Sequence, residues 1–574
     1  MDFKPPFTDV DINLSRGGFY KGYSVPIALL SKLGMALLVV WAAMRPEQAK
    51  EILSSVNGML LNNFNAFYII AVGIFMVFCF VIAIIPASGK RLLGKPGERP
   101  EFSTFSWFAM MFGAGLGVGL MVYATAEPMG LWGSNPEIVK GAVTANTAEA
   151  IESAYRYTFL HYGFHAWAIY VVTGLSMAYY AFRRDMPLTI RSALTPVLGR
   201  WANGFLGHLV DILGVVATVL GIAVTIGFGV SQLVDGVYSI SGLEWLMQPG
   251  AEGGPAKPST VGLISALLVI MLLSTISAVS GVGKGVKYLS NLNLVLSIVL
   301  IGAFLIFGSV GFAAKIYGTA FLDYLKNLPQ LSFVAYPVDT EVGGWQKGWT
   351  TFYWAWWIAF APFVGLFLAR ISRGRTIREF VLGAVIAPSL VCFLWMTALG
   401  GTAIDLELSG VAGGKIIEAS TTNKLFATMG FMFEGEVLFG LTVMCVVLIM
   451  TFLVTSADSG VLVLNTIMAG GSIDTSIGHR IIWGILMTLV IGTLLVAGGG
   501  GLSALQNAMI IGALPFTMVM VLMCISLAKA LLRDDVRDGH LSERQLAERL
   551  AQQELRSEPD YNSGTIQYRP LTRD

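Results

Sequence analysis

The sequence predicts an all-α polytopic membrane protein of about twelve transmembrane helices, and three observations carry that prediction. Of 574 residues, 55% are hydrophobic and only 13% are charged, about half the charged share of a soluble domain. Mean hydropathy is +0.70. Apolar runs long enough to cross, or nearly cross, a hydrocarbon layer of roughly 30 Å recur along the chain. Lys and Arg gather in every second loop, as they do on the inner side of a membrane.

The runs are Val25–Trp41, Phe67–Ile85, Phe102–Leu131, Phe164–Tyr180, Leu206–Leu233, Val261–Val279, Leu292–Gly311, Trp349–Leu368, Phe380–Gly400, Leu438–Leu453, Ile481–Val496 and Met509–Ala528. With a cytoplasmic N-terminus, the loops after even-numbered spans face inward. Those loops carry Lys90, Arg91, Lys95 and Arg99, then Arg183, Arg184, Arg191 and Arg200. Lys284 and Lys287 follow, and then Arg370, Arg373, Arg375 and Arg378. A miscounted span would invert every later loop and destroy this asymmetry, so twelve spans with both termini inside is the expected topology. The organisation is therefore a cytoplasmic segment at 1–24, a membrane domain at 25–528 and a cytoplasmic tail at 529–574.

Cys79, Cys392, Cys445 and Cys524 all sit in apolar segments without a CxxC pair, which argues against a disulfide framework or a zinc site. Met1–Tyr23 is polar, so no cleavable signal peptide is expected. The net charge of +1 points to no nucleic-acid partner. In the long outer loop, Phe321–Leu328 reads as a short surface helix. In the tail, Ser542 and Gln545 form a capping-box pattern, and Leu541, Leu546, Leu550 and Leu555 form an amphipathic face, with disorder expected beyond Pro559.

Four segments depart from ordinary spans. In Phe112–Gly130 the residues Gly113, Gly115, Gly117 and Gly119 alternate. Each costs about 1 kcal/mol relative to Ala inside a helix, so this span is expected to break. Broken backbone at membrane depth lines a cavity or lies inside protein, and it holds substrate and ions in secondary transporters. Close packing through small residues is the bland alternative. In His161–Tyr170, read as one helix, Tyr162, Trp167 and Tyr170 share a sector. His161 and His165 point elsewhere and are expected to be satisfied by neighbouring helices. In Trp349–Phe363, Trp354, Trp357 and Phe360 share a face. An interfacial belt is the bland alternative, although belts sit at span ends and Trp356, Trp357 and Phe360 lie well inside this one. Clustered rings without acids suit a quaternary ammonium, which offers no N–H donor and is held by ring quadrupoles. In Thr451–Ser459, Phe452, Thr455 and Ser456 fall at i, i+3 and i+4. The two hydroxyls either ligate a hard cation such as Na⁺ or bond back to the preceding turn. Asp458 reads as a structural partner for backbone rather than a proton carrier.

These segments resemble the betaine/choline/carnitine transporter family. The similarity spans nearly all of Tyr23–Ala528 and rests on GLGVGLM, FLHYGFHAWAIY, MPLTIRSAL (Met186–Leu194), GVGKGVKYLSNLN (Gly281–Asn293), FYWAWWIAFAPFVGLFLARISRGRTIREF (Phe352–Phe380) and VTSADS (Val454–Ser459). The resemblance implies a LeuT-like 5+5 inverted repeat preceded by two extra helices, with repeats at about 102–311 and 349–528, in homotrimers of the bacterial inner membrane. It implies no enzymatic activity and no cofactor. It implies an aromatic box of Tyr162, Trp167, Tyr170 and Trp357, with Trp356 and Phe360 on the route inward. A substrate carboxylate would face Gly115, Leu116, Gly117 and Gly119. One Na⁺ would be held by Gly113, Leu116, Phe452, Thr455 and Ser456. A second would involve Thr218 and Phe363, although Ile222 stands where a hydroxyl is expected. The implied activity is Na⁺ symport of glycine betaine in osmoprotection, with choline uptake, coupled to protons or sodium, and dimethylsulfoniopropionate uptake as alternatives. Tyr162 departs from the Trp of typical betaine carriers. Gly119 lacks the Asp that balances choline's net charge in proton-coupled choline carriers, which favours a zwitterion.

Overall fold

A chain this apolar, with few prolines inside its runs, satisfies its backbone internally as helices wherever lipid replaces water. The computed structural model describes residues 10–115, 117–250, 254–280, 285–499 and 502–539. Among them, ten helices are long and apolar enough to cross a bilayer. The first two are α1 (Val25–Met44) and α2 (Pro46–Ile84). Each has proline in its first turn, where the missing N–H is harmless. At 39 residues, α2 is roughly 58 Å long at 1.5 Å per residue.

The next two expected spans are each split. The third is α3 (Thr104–Gly115) and α4 (Val118–Gly133). The fourth is α5 (Ala150–Tyr162) and α6 (Phe164–Ala178). There follow α7 (Phe205–Ser241), α8 (Thr260–Ser280), α9 (Gly285–Phe307) and α10 (Val310–Phe333). The chain continues through α11 (Glu341–Ile371), α12 (Ile377–Leu408), α13 (Gly435–Met468), α14 (Ile477–Ala497) and α15 (Ser503–Gly539).

Burial separates a centre from a rim. The most apolar window of α11 is 83% buried and that of α7 78%, against 33% for α1 and 22% for the α9 segment Tyr288–Phe307. The rim helices turn Leu29, Leu33, Leu37, Val295 and Ile298 outward, where lipid is their solvent. At the centre, α6 and α11 share the most extensive helix contact among the described residues. Two glycines allow their approach. A Cβ on Gly365 would lie 2.8 Å from Thr173 Cγ2, and one on Gly174 would lie 2.9 Å from the Gly365 carbonyl, the small-residue packing that membrane helices favour.

The basic loops are knitted together at one end of the bundle. Leu93 N–H donates to the Arg375 carbonyl at 2.7 Å and Gly374 N–H to the Leu93 carbonyl at 2.8 Å. Arg373 Nε meets Glu98 Oε1 at 2.5 Å. The Arg375 guanidinium lies 4.1 Å from the Trp107 ring centroid. Thr376 and Glu379 then form a capping box that starts α12. Arg191 of the MPLTIRSAL segment is fully buried against Asp211 at 2.6 Å.

Four sequence expectations change. The fourth span is not one helix. Gly163, at φ −98° and ψ −143°, divides it, so Tyr162 leaves from one helix and Trp167 and Tyr170 from another. A Cβ at Gly163 would sit 2.3 Å from the Phe159 carbonyl and 2.7 Å from the Phe393 ring, which is why glycine occupies the break. The surface helix expected at Phe321–Leu328 extends over Val310–Phe333, because Ala313, Ile316 and Ala320 bury one more face of it. The tail boundary at residue 529 falls inside α15, which continues to Gly539. Asp535 Oδ1 lies 2.7 Å from Arg91 Nη2, Asp534 Oδ1 lies 2.9 Å from Arg184 Nη2, and the Tyr179 hydroxyl donates to Asp534. Asp458 takes a side-chain partner instead of backbone, its Oδ2 accepting from Ser277 Oγ at 2.5 Å. The tail pattern at Leu541, Ser542, Gln545, Leu546, Leu550 and Leu555, and Leu116 at the third-span break, lie outside the described residues.

Candidate functional site

The break between α3 and α4 and the break at Gly163 face the centre of α11, and a cavity of about 1000 Å³ lies between them. Its mouth is at the basic end, where Glu101, Phe105, Arg370, Arg373 and Ile473 line it and Phe105 is 84% exposed. Its inner end is aromatic. Tyr162 and Trp357 meet edge to face with centroids 5.6 Å apart and planes at 88°. Tyr170 meets the other side of Trp357 at 5.4 Å and 71°. All three line the cavity. Trp167 stands behind Tyr170 at 5.7 Å and 84° and is 1% exposed, outside the cavity lining. Edge-to-face packing turns ring faces in different directions around one space.

Trp356 lines the wall beside these rings. Its Nε1 donates to Thr225 Oγ1 at 3.0 Å, and its ring stacks on Phe228 at 5.4 Å. Phe360 and Phe363 pack edge to face at 5.0 Å and line the path toward the mouth. Gly117 and Gly119 bring the start of α4 to the cavity, and a Cβ on Gly119 would touch Trp356 Cη2 at 3.3 Å. The N–H groups of a helix start carry partial positive charge and suit a carboxylate. Gly113 and Gly115 lie in the last turn of α3. Among the described residues, Glu101 at the mouth is the one acid in the lining.

Phe452, Thr455 and Ser456 reach the same cavity from α13. Thr455 Oγ1 donates back to the Thr451 carbonyl at 2.9 Å, so its lone pairs remain for a cation or a donor. Asn293 Nδ2 approaches that oxygen at 3.4 Å. Neutral oxygens of this kind match Na⁺ and not a thiophilic metal. The second predicted pair is divided. Phe363 lines the cavity, whereas Thr218 is fully buried away from it and donates to its own Gly214 carbonyl at 2.7 Å.

Both histidines have neighbours as partners, His161 at both ring nitrogens and His165 at one, its buried Nδ1 having none among the described residues. His165 Nε2 is 2.9 Å from Ser332 Oγ. His161 Nδ1 is 2.6 Å from Glu127 Oε1, and its Nε2 is 3.0 Å from Thr350 Oγ1. Sequence reasoning passed over Glu127 and Tyr353, and Thr225 and Asn293 beside the cavity. For Glu127 the signal was present: an acid inside the apolar run ATAEPMG is costly in a membrane and marks a working position.

The model of the BCCT family, described as betaine/carnitine/choline family transporter, matches residues 26–536. The chain belongs to that family. As a betaine/carnitine/choline family transporter it is an integral membrane protein and not an enzyme. It is similar to the glycine betaine transporter OpuD of Bacillus subtilis, 37% identical over 499 residues, with 87% of this chain and 93% of that protein covered. Glycine betaine transporter 1 of Vibrio parahaemolyticus is 37% identical over 511 residues, covering 88% and 92%. A glycine betaine/proline/choline transporter of the same organism is 34% identical over 515 residues, covering 88% and 89%. Within this transporter family frame, the cavity between broken and continuous helices is the candidate site for the transported solute.

Proposed function

We propose that this transporter imports a zwitterionic onium solute, best represented by glycine betaine, by symport with Na⁺. One observation carries the reading: Tyr162, Tyr170 and Trp357 surround one end of a cavity edge to face, with no acid beside them in the lining. A trimethylammonium group there gains about 0.5–2 kcal/mol per ring. The solute's carboxylate faces the α4 start at Gly117–Gly119, and the net charge of the bound solute is zero. Two relatives whose names specify glycine betaine support the choice.

Sodium binds between the α3 end at Gly113 and the α13 residues Phe452, Thr455 and Ser456. A second ion near Phe363 has weaker support, because Thr218 and Ile222 supply no oxygen to the cavity. The basic end faces the cytoplasm with both termini, the protein works as a homotrimer, and the cavity is in its inward-open state. Solute accumulation against osmotic stress is the resulting role. Labelled uptake into proteoliposomes under imposed gradients tests this. Glycine betaine uptake driven by Na⁺ is the expected result. Uptake driven by protons alone, or selective for choline over glycine betaine, overturns it in favour of a choline carrier. Preference for dimethylsulfoniopropionate changes the solute and leaves the site intact.

A further inference from the structure

Glu127 is 0% exposed in the middle of the bundle, and burying a carboxylate there is expensive unless it is fully partnered. Both of its oxygens are engaged. Oε1 lies 2.6 Å from His161 Nδ1 on α5, and Oε2 accepts from the Tyr353 hydroxyl on α11 at 2.6 Å. Neither His161 nor Tyr353 lines the cavity. Each instead holds a ring that does, and the two holds are crossed. Tyr162, on α5, donates its hydroxyl to Tyr353 on α11 at 3.4 Å. Trp357, on α11, donates its Nε1 to the backbone carbonyl of His161 on α5 at 2.9 Å.

The second hold depends on the break at Gly163. In a continuous helix the carbonyls of this turn serve amides four residues on. Here the Phe164 amide, which a continuous helix would pair with the Leu160 carbonyl, turns away to the Tyr324 hydroxyl at 3.3 Å, and the next carbonyl, that of His161, receives an indole. The imidazole is fixed from its other side by Thr350 at 3.0 Å, in the widened turn Lys347–Thr351. One carboxylate from α4 thus ties α5 to α11, and both cavity rings hang from that tie.

The geometry points to Glu127 as a positioning residue that sets the angle between Tyr162 and Trp357, and so the solute selectivity of the pocket, without touching the solute. This rests on the onium-site reading above. A carboxylate suits the task because it accepts at two oxygens at once, whereas an amide has one acceptor oxygen and must reverse one arm.

The test compares wild type with Glu127→Leu, Glu127→Gln and Tyr353→Phe, all full length and purified. Affinity for glycine betaine, dimethylglycine and sarcosine is read by binding, and maximal uptake rate per folded molecule is read in liposomes. Glu127→Leu is expected to weaken glycine betaine binding tenfold or more and to erase most of the preference over dimethylglycine. Glu127→Gln should recover part of both, and Tyr353→Phe should show a loss of about threefold. If Glu127→Leu does not fold, the other two variants carry the comparison. Variants that fold, lose rate, and keep wild-type affinity and wild-type discrimination overturn the positioning role. Wild type that binds no methylated ammonium solute overturns the onium reading itself, and is seen before any variant is made.

Discussion

The helices around the cavity are of two kinds, and they contribute different chemistry. The third and fourth spans are broken, as α3–α4 and α5–α6, and besides the rings of Tyr162 and Tyr170 they offer backbone: the start of α4 at Gly117–Gly119 to the cavity, and the His161 carbonyl to the Trp357 indole. The facing helices α11 and α13 run through, and they offer side chains: Trp356, Trp357 and Phe360 from one, Phe452, Thr455 and Ser456 from the other. In a bilayer an intact helix has already spent its amides and carbonyls on itself. Only a helix that stops and restarts can present peptide groups at mid-depth. The two kinds of helix therefore differ in what backbone they can add: the broken spans bring peptide dipoles as well as rings, and the continuous ones bring rings and hydroxyls alone.

The sharpest way to break this comparison is to repair a break. Gly163→Ala forces a Cβ to within 2.3 Å of the Phe159 carbonyl, and overpacking of this kind costs about 1–3 kcal/mol or more. Much less monodisperse protein and a lowered melting temperature are expected. Gly117→Ala, with nothing within 4 Å of its Cβ, should fold as wild type, and equal behaviour of the two would remove the case for a required glycine at residue 163. Next in size, Trp357→Leu removes a ring from the continuous side. Glycine betaine affinity should fall roughly 30-fold, the equivalent of about 2 kcal/mol, with melting little changed. An unaltered binding isotherm would show that the solute sits elsewhere.

Replacing both Thr455 and Ser456 with Ala tests the hydroxyls. The sodium concentration for half-maximal uptake should rise about tenfold, equivalent to about 1.4 kcal/mol, with solute affinity at saturating sodium within about twofold of wild type. Sodium titrations that superimpose on wild type would locate the ion away from α13. The smallest effect is expected at Gly119→Asp, which adds an acid beside Trp356. Relative preference for choline over glycine betaine should rise by about fivefold, near 1 kcal/mol. A shift in the opposite direction would mean that the ammonium group does not approach this wall.

Much of this arrangement was legible in the sequence, for identifiable reasons. Alternating glycines at 113–119 announced a break because each opposes helix formation in the same way. Periodicity put Trp354, Trp357 and Phe360 on one face of α11; Trp357 and Phe360 line the cavity, whereas Trp354 is buried outside that lining and stacks on His165. The fourth span was misread for the converse reason. A single Gly163 in an apolar run is usually tolerated, and nothing local marks it as a break; the decisive contacts, with Phe393 and Tyr324, come from distant helices. Trp167 was assigned to the pocket by motif and stands behind it, since its neighbour Tyr170 occupies the wall. Thr218 shows the same limit: its hydroxyl serves its own helix, which sequence spacing alone cannot distinguish from a ligand.

The length of α15 bears on how the tail is to be studied. A deletion placed at the apparent end of the apolar sequence, near Arg533, would take away Asp534 and Asp535, the carboxylates that face Arg184 and Arg91. Those guanidiniums are nearly buried, with side chains 7% and 8% exposed, and stripping a buried charge of its partner damages a fold by about 3–5 kcal/mol. A protein shortened there would lose uptake through its scaffold, and the loss would be misread as a direct role of the tail in transport. Cutting after Gly539 keeps the fastening and removes the tail alone.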